Sequence, residues 1–192
     1  MNHLAHLYLA PPDAEALIGN LAGDFVKGPL HEGRFAPRVA EGIAQHRKID
    51  VFTDAHPRVA EFRRVLIPEH GHWARVISDV FFDHFLASGF EELTGEPLEP
   101  FLTRVYATID PFAGALPGTL GEVYPHMRDG RWMLSYREIG GIHSALANMS
   151  RRRIARRPQL ELATRHLTDS RAELEAHFRA FWPEVVQYAR SL

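Results

Sequence analysis

The sequence predicts an all-α fold on three observations. Apolar residues recur at three- to four-residue spacing along most of the chain, the period of an amphipathic helix. Long alternating runs of β-branched residues, which mark strands, are missing. Prolines and glycines punctuate the periodic stretches at helix-length intervals.

The elements follow in order. A first helix covers Asn2 to Ala10 and is stopped by Pro11-Pro12. A second runs from about Asp13, a suitable N-cap, to Phe25, and ends near Gly28-Pro29. A third begins near Pro37, a favoured first-turn proline, and passes through Val39, Ile43, His46, Ile49 and Phe52 to its limit at Pro57. Arg58 to Leu66 is a short helix before Pro68. A strong helix spans Trp73 to Ala87 and closes at Ser88-Gly89. Pro97 to Phe112 is helical, with breaks at Pro111, Gly114, Pro117 and Gly118. Gly140-Gly141 is another break or a tight helix contact. The last long helix spans Gln159 to Phe181, with Leu160, Leu167, Leu174, Phe178 and Phe181 facing the core and Pro183 kinking it or restarting a turn. The expectation is one helical domain over residues 1–192, with roughly seven to nine helices.

Composition bounds the function. An apolar share of 45% with 24% charged residues is an ordinary globular balance over 192 residues. Cysteine is absent, which excludes disulfides, a thiolate nucleophile and a cysteine-zinc site, and fits a reducing compartment. Met1 to His6 lacks a basic leader followed by an apolar run, and no stretch reaches the length of a membrane span. A cytoplasmic location is therefore expected. A net charge of only -2 gives no global field favouring nucleic acid. Neither nucleic acid nor membrane is an expected partner. Histidine is the unusual count: there are 12, eight of them in the first 84 residues.

Four helical segments place metal-competent side chains about one turn apart on a shared face. They offer His3 and His6; Asn20 and Asp24; His46, Asp50 and Asp54; and Asp79 and Asp83 with His84 adjacent. Each set is embedded among apolar residues such as Leu4, Leu21, Ile49 and Phe81. A carboxylate in such surroundings must be paired, protonated or bound to a cation. Several acids converging from different helices repel one another unless a cation neutralises them. Imidazole with carboxylate suits zinc, iron, manganese and similar ions, and facing helices are a known frame for such a site. The ordinary readings stand beside this one. Asp79 is one turn from Arg75, Asp50 is near Arg47 and Arg58, and Asp54 sits where its helix ends. His31, His70, His72, His126, His166 and His177 are read as surface histidines.

Four strings carry a resemblance: Asn2–Ala10 (NHLAHLYLA), Gly19–Gly28 (GNLAGDFVKG), Gly42–Pro57 (GIAQHRKIDVFTDAHP) and Asp79–Leu86 (DVFFDHFL). In this order and at these separations they resemble the bacterial acyl carrier protein phosphodiesterases. The likeness continues more loosely through Asn148–Arg152 to the C-terminal helix. That family is described as a divergent branch of the HD phosphohydrolases, all-helical enzymes that hold a divalent metal with histidines and aspartates. The resemblance implies hydrolysis of holo-acyl carrier protein to apo-protein and 4′-phosphopantetheine. It also implies a divalent metal, manganese first, with magnesium or iron(II) as alternatives. An adjacent His-Asp pair in that order is absent; the nearest dyads are Asp83-His84, reversed, and His46 with Asp50.

The ligand set expected on this reading is His6, Asp24, His46, Asp50 and Asp83. Asp79 or Asp54 orients water or acts as base, and His84 gives a proton to the leaving serine oxygen. Arg47 or Lys48 holds the phosphate. A second feature is the run Arg151, Arg152, Arg153, Arg156 and Arg157, five arginines in seven residues with no acid until Glu161. Such density on a nearly neutral chain attracts an acidic partner, and acyl carrier proteins are strongly acidic. Two alternatives stay open: an HD-type hydrolase of a nucleotide or other small phosphoester, and a non-catalytic helical adaptor that binds acidic proteins through the arginine run.

Overall fold

A computed structural model describes residues 1–152 and 159–192. Arg153, Arg156 and Arg157 of the arginine run lie outside the described residues. Among the described residues the regular elements are all helical. They are α1 (His3–Leu9), α2 (Ala14–Ala22), α3 (Pro37–Ala55), α4 (Pro57–His70), α5 (Ala74–Ser88), α6 (Phe90–Thr94), α7 (Leu98–Ile109), α8 (Leu120–Asp129), α9 (Trp132–Ser135), α10 (Ile139–Arg152), α11 (His166–Asp169) and α12 (Arg171–Arg190), with short 3-10 turns between some of them. The long helices coincide with most of the periodic segments. α6, α9 and α11 are single turns of five residues or fewer, too short to leave a periodic signal.

α5 is the central helix. Ile77, Phe81, Phe82, Phe85 and Leu86 are all buried, and a helix apolar on most sides belongs inside. Phe82 packs edge-on to Phe62 of α4 at 4.8 Å and stacks with Phe181 of α12 at 5.5 Å, geometries aromatic quadrupoles favour. α1 lies against α5, and α2 lies against α3. Gly19 and Gly42 make the second contact close. A Cβ on Gly19 would sit 2.4 Å from the Val39 carbonyl oxygen, and one on Gly42 would sit 2.8 Å from that of Ala16. The two backbones therefore touch, which brings the end of α2 beside the middle of α3.

Three boundaries differ from those read in the sequence. α4 runs through Pro68 to His70 instead of stopping before it. α12 passes Pro183 and continues to Arg190. Both prolines, and Arg64 and Arg179 whose carbonyls lose their amide partners, are exposed, a setting in which water can satisfy the freed carbonyls. The expected helix Gln159–Phe181 is instead a 3-10 turn (Leu160–Arg165), α11 and α12. Ser170, with φ -121°, separates the last two; the Thr-Asp-Ser sequence before α12 favours caps over helix interiors. Leu160, Leu167, Leu174, Phe178 and Phe181 are all buried. Gly140-Gly141 lies inside α10 as a tight contact: a Cβ on Gly141 would fall 2.0 Å from the Ser135 carbonyl oxygen. No helix among the described residues is long and apolar enough to cross a membrane.

Candidate metal centre

The site forms where α1, the end of α2 and the middle of α3 meet. His6 and His46 are buried and stack face to face, ring centroids 3.6 Å apart. Asp50, one turn beyond His46, lies between them: Oδ1 is 3.1 Å from His6 Nε2 and Oδ2 is 3.2 Å from His46 Nε2. Asp24, just past α2, places Oδ1 3.6 Å from His46 Nε2 and Oδ2 3.7 Å from His3 Nδ1. The Met1 ammonium group adds contacts of 3.0 Å to Asp50 and 3.5 Å to Asp79.

His46 is oriented from behind. Its Nδ1–H donates to the Asn20 carbonyl oxygen at 2.8 Å, which leaves Nε2 facing the carboxylates. A backbone acceptor on the far nitrogen is the usual arrangement for a metal-binding histidine. The imidazole lies against Gly23, where a Cβ would come within 2.2 Å of the ring. Gly23→Ala is therefore expected to keep the fold but displace His46 and weaken divalent-cation binding by about ten- to a hundredfold; a metal titration with a circular dichroism control checks this.

The charges are strongly coupled. Burial pushes His46 down, but hydrogen bonds to Asp24 and Asp50 outweigh it and raise its pKa to about 9. Burial and the neighbouring His46 lower His6 to about 3, so it is a neutral imidazole. Burial raises Asp50 and Asp24, yet the histidines outweigh it and hold both well below the usual carboxylate range. Burial depresses the Met1 amino group, but Asp79 and Asp50 more than compensate and raise it to about 10.

The donor set fits a divalent cation. His6, His46 and Asp50 each offer a ligating atom within 4.8 Å of the others. His6 Nδ1 is buried without a hydrogen-bond partner. Two neutralisable imidazoles with one or two carboxylates suit a first-row divalent ion.

The remaining expected residues fall elsewhere. Asp83 is not aimed at this cluster: its oxygens accept from the Leu4 and Ala5 amides at 2.9 and 3.0 Å. It caps the start of α1 from within α5, at a buried position that raises its pKa to about 7. His84 is also turned away. Its Nδ1–H donates to the Tyr136 carbonyl oxygen at 2.8 Å, and Nε2 accepts from Arg171 at 3.4 Å. Arg47 donates to the carbonyl oxygen of Val26, past the end of α2, at 3.0 Å, while Lys48 is exposed. Asp54 pairs with Arg75 and, at 2.9 Å, with Arg63. Asp79 stays at the edge of the cluster, its Oδ1 3.6 Å from Arg63, and burial raises its pKa. Arg63 escaped the sequence reading. It bridges Asp54 and Asp79 and also donates to Ser78. Its sequence neighbourhood, Arg63-Arg64 on an amphipathic helix, carries no signal beyond ordinary surface charge.

The cluster opens towards solvent at Asp24 and His3. Beside His3 and Phe25 is a cavity of about 470 Å³, walled by Trp132, Tyr136, Asn148 and Met149. Arg151, the first arginine of the run, is exposed and donates to Asn148 Oδ1 at 2.7 Å.

Sequence comparison decides the family. The sequence profile of the acyl carrier protein phosphodiesterases matches residues 1–185. The chain belongs to the acyl carrier protein phosphodiesterase family. Relatives of that name include a Serratia proteamaculans protein, 35% identical over 99% of this chain and 98% of its own length. An Escherichia coli protein is 34% identical over 98% and 97%, and one from Photorhabdus laumondii is 31% identical over 100% and 96%. No solved structure matches the chain. As a member of an acyl carrier protein phosphodiesterase family, the protein is a hydrolase of phosphodiester bonds, which sets aside the non-catalytic adaptor. Among the described residues, the His6–His46–Asp50 cluster lies within two of the four strings that carried the resemblance, and Asp24 beside it lies in a third.

Proposed function

We propose that the enzyme uses a divalent cation held by His6, His46 and Asp50, with Asp24 beside them, to cleave holo-acyl carrier protein into apo-protein and 4′-phosphopantetheine. The convergence of two buried imidazoles on a shared carboxylate carries this reading. Manganese is the first candidate, with magnesium and iron(II) behind it. When bound, the ion would supply a Lewis acid for the phosphate and lower the pKa of attacking water.

The chain's own residues supply the rest. Asp24 and His3 form the open rim, where a phosphodiester can approach. Burial keeps Asp79 proton-binding to higher pH than an ordinary carboxylate, and it flanks Asp50 through the Met1 amino group. We assign it the proton-transfer role first given to His84, whose nitrogens are both engaged elsewhere. Hydrolysis breaks the bond between phosphorus and the serine oxygen, and that oxygen must gain a proton. The cavity beside His3 suits the pantetheine arm: Phe25, Trp132 and Met149 offer apolar walls, and Ser144 and Asn148 offer partners for its amides. Arg151 stands at the edge of that cavity through Asn148, so it would meet an acidic carrier protein there.

Incubation of chelator-treated enzyme with holo-acyl carrier protein, followed by intact-mass analysis, tests the reading. Loss of the phosphopantetheine mass after manganese is restored is expected. An unchanged carrier mass with manganese, magnesium and iron(II) would remove the substrate assignment.

Metal uptake should also titrate. In the metal-free protein His46 holds a proton up to about pH 9, and a metal must displace it. Apparent affinity is therefore expected to climb about tenfold per pH unit from pH ~6.5 to ~9 and then level off. The same shift makes the metal-free fold lose stability over that window. Below pH ~6.5 His46 is protonated both folded and unfolded; between ~6.5 and ~9 only the folded form keeps the proton. Metal titrations and denaturant melts at stepped pH measure both slopes.

A further inference from the structure

We propose that Glu69, His70 and His166 form a second divalent-cation site, one with the ligand chemistry of zinc. The three offer ligating atoms that all lie within 4.8 Å of one another. His166 Nε2 is 3.8 Å from Glu69 Oε1, close to the edge of a tetrahedron built on bonds of about 2.1 Å. The two imidazoles meet edge to face with centroids 5.4 Å apart. Both Nε2 atoms are buried, and neither has a hydrogen-bond partner.

That last observation separates this cluster from ordinary surface histidines. A buried polar atom without a partner is costly, and native structures leave few of them. Here two such nitrogens lie beside the same carboxylate. Burial lowers the pKa of both rings, which favours the unprotonated form a metal needs. Glu69 also pairs with Arg165, but both side chains are about half exposed, and such a pair opposes displacement weakly. The cluster borders a cavity of about 760 Å³ with His143 and Thr168 in its wall. A fourth position is thus open to water or to a small ligand, as in zinc sites that keep a free coordination place.

The position in the fold gives the ion a mechanical consequence. Glu69 and His70 end α4, and His166 begins α11. A shared ion ties the end of α4 to the segment that directly follows the 3-10 turn Leu160–Arg165. The inference uses no residue of the catalytic cluster and does not depend on the function proposed above.

Zinc binding to the purified full chain, measured by competition with a chromogenic chelator, tests it. His46→Gln/Asp50→Asn is the background, because it silences the catalytic cluster. One zinc ion is expected to bind that variant. Adding His70→Gln and His166→Gln should weaken binding at least about a hundredfold, since even outer partners of a metal ligand are worth about ten- to a hundredfold. Circular dichroism in chelator confirms that the variants fold. If His166→Gln does not fold, Glu69→Gln with His70→Gln gives the same comparison at the rim of the site. No zinc on the background variant, or unchanged affinity after the ligand substitutions, overturns the proposal.

Discussion

Asp50→Asn is expected to lower kcat for phosphodiester hydrolysis by about a thousandfold or more, with the carrier protein still bound. Asp50 is the side chain that the whole cluster shares, meeting His6, His46 and the Met1 amino group within 3.2 Å. An amide keeps its size but not its charge. A cation then loses an anionic ligand, and His46 loses one of the two carboxylates that orient it. Losing ~4 kcal/mol of transition-state stabilisation corresponds to about three orders of magnitude. Kinetics at saturating manganese separates the effect from weaker metal binding. A kcat within about tenfold of the parent would show that the chemistry lies elsewhere.

Gly19→Ala should give a large loss of stability. The new methyl group meets backbone, the Val39 carbonyl oxygen at 2.4 Å and Gly42 Cα at 2.8 Å, and no side chain can rotate away. α2 and α3 must move apart, at a cost of ~3 kcal/mol. For a chain of this length that is a fall in melting temperature of roughly 6–12 °C. Gly140→Ala is the control. Nothing lies within 4 Å of its Cβ position, and a helical alanine there should be neutral or raise stability by ~0.5 kcal/mol. Parted helices also withdraw Asp24 from His46, so Gly19→Ala should reduce metal affinity, whereas Gly140→Ala should not.

These contrasts show what the sequence carried. Helix starts were legible where local chemistry sets them. Asp13 caps α2 by accepting from the Ala16 amide, and Pro37 opens α3. Pro68 and Pro183 misled because their cost depends on exposure, which spacing does not encode. The cluster itself was legible: one-turn spacing put His46 and Asp50 on one face, and apolar neighbours marked them as interior. The second partner of each acid was not. Asp83 and Asp79 have the same sequence signature, yet one meets the amides of α1 and the other the edge of the cluster. Which of them faces the site depends on how α1 crosses α5, a tertiary fact. Likewise His70 and His166 are 96 positions apart, and only the packing of α11 against its neighbours brings them together.

The central claim is that the His6–His46–Asp50 cluster holds the cation on which cleavage depends. Its most direct measurement is a titration of metal-free enzyme with manganese, following free ion by electron paramagnetic resonance and release of phosphopantetheine in the same samples. Activity that rises in step with manganese bound to the parent, and stays absent in His46→Gln at the same concentrations, is the predicted result. Full cleavage by the metal-free enzyme, or manganese-dependent activity unchanged by His46→Gln, would contradict the account.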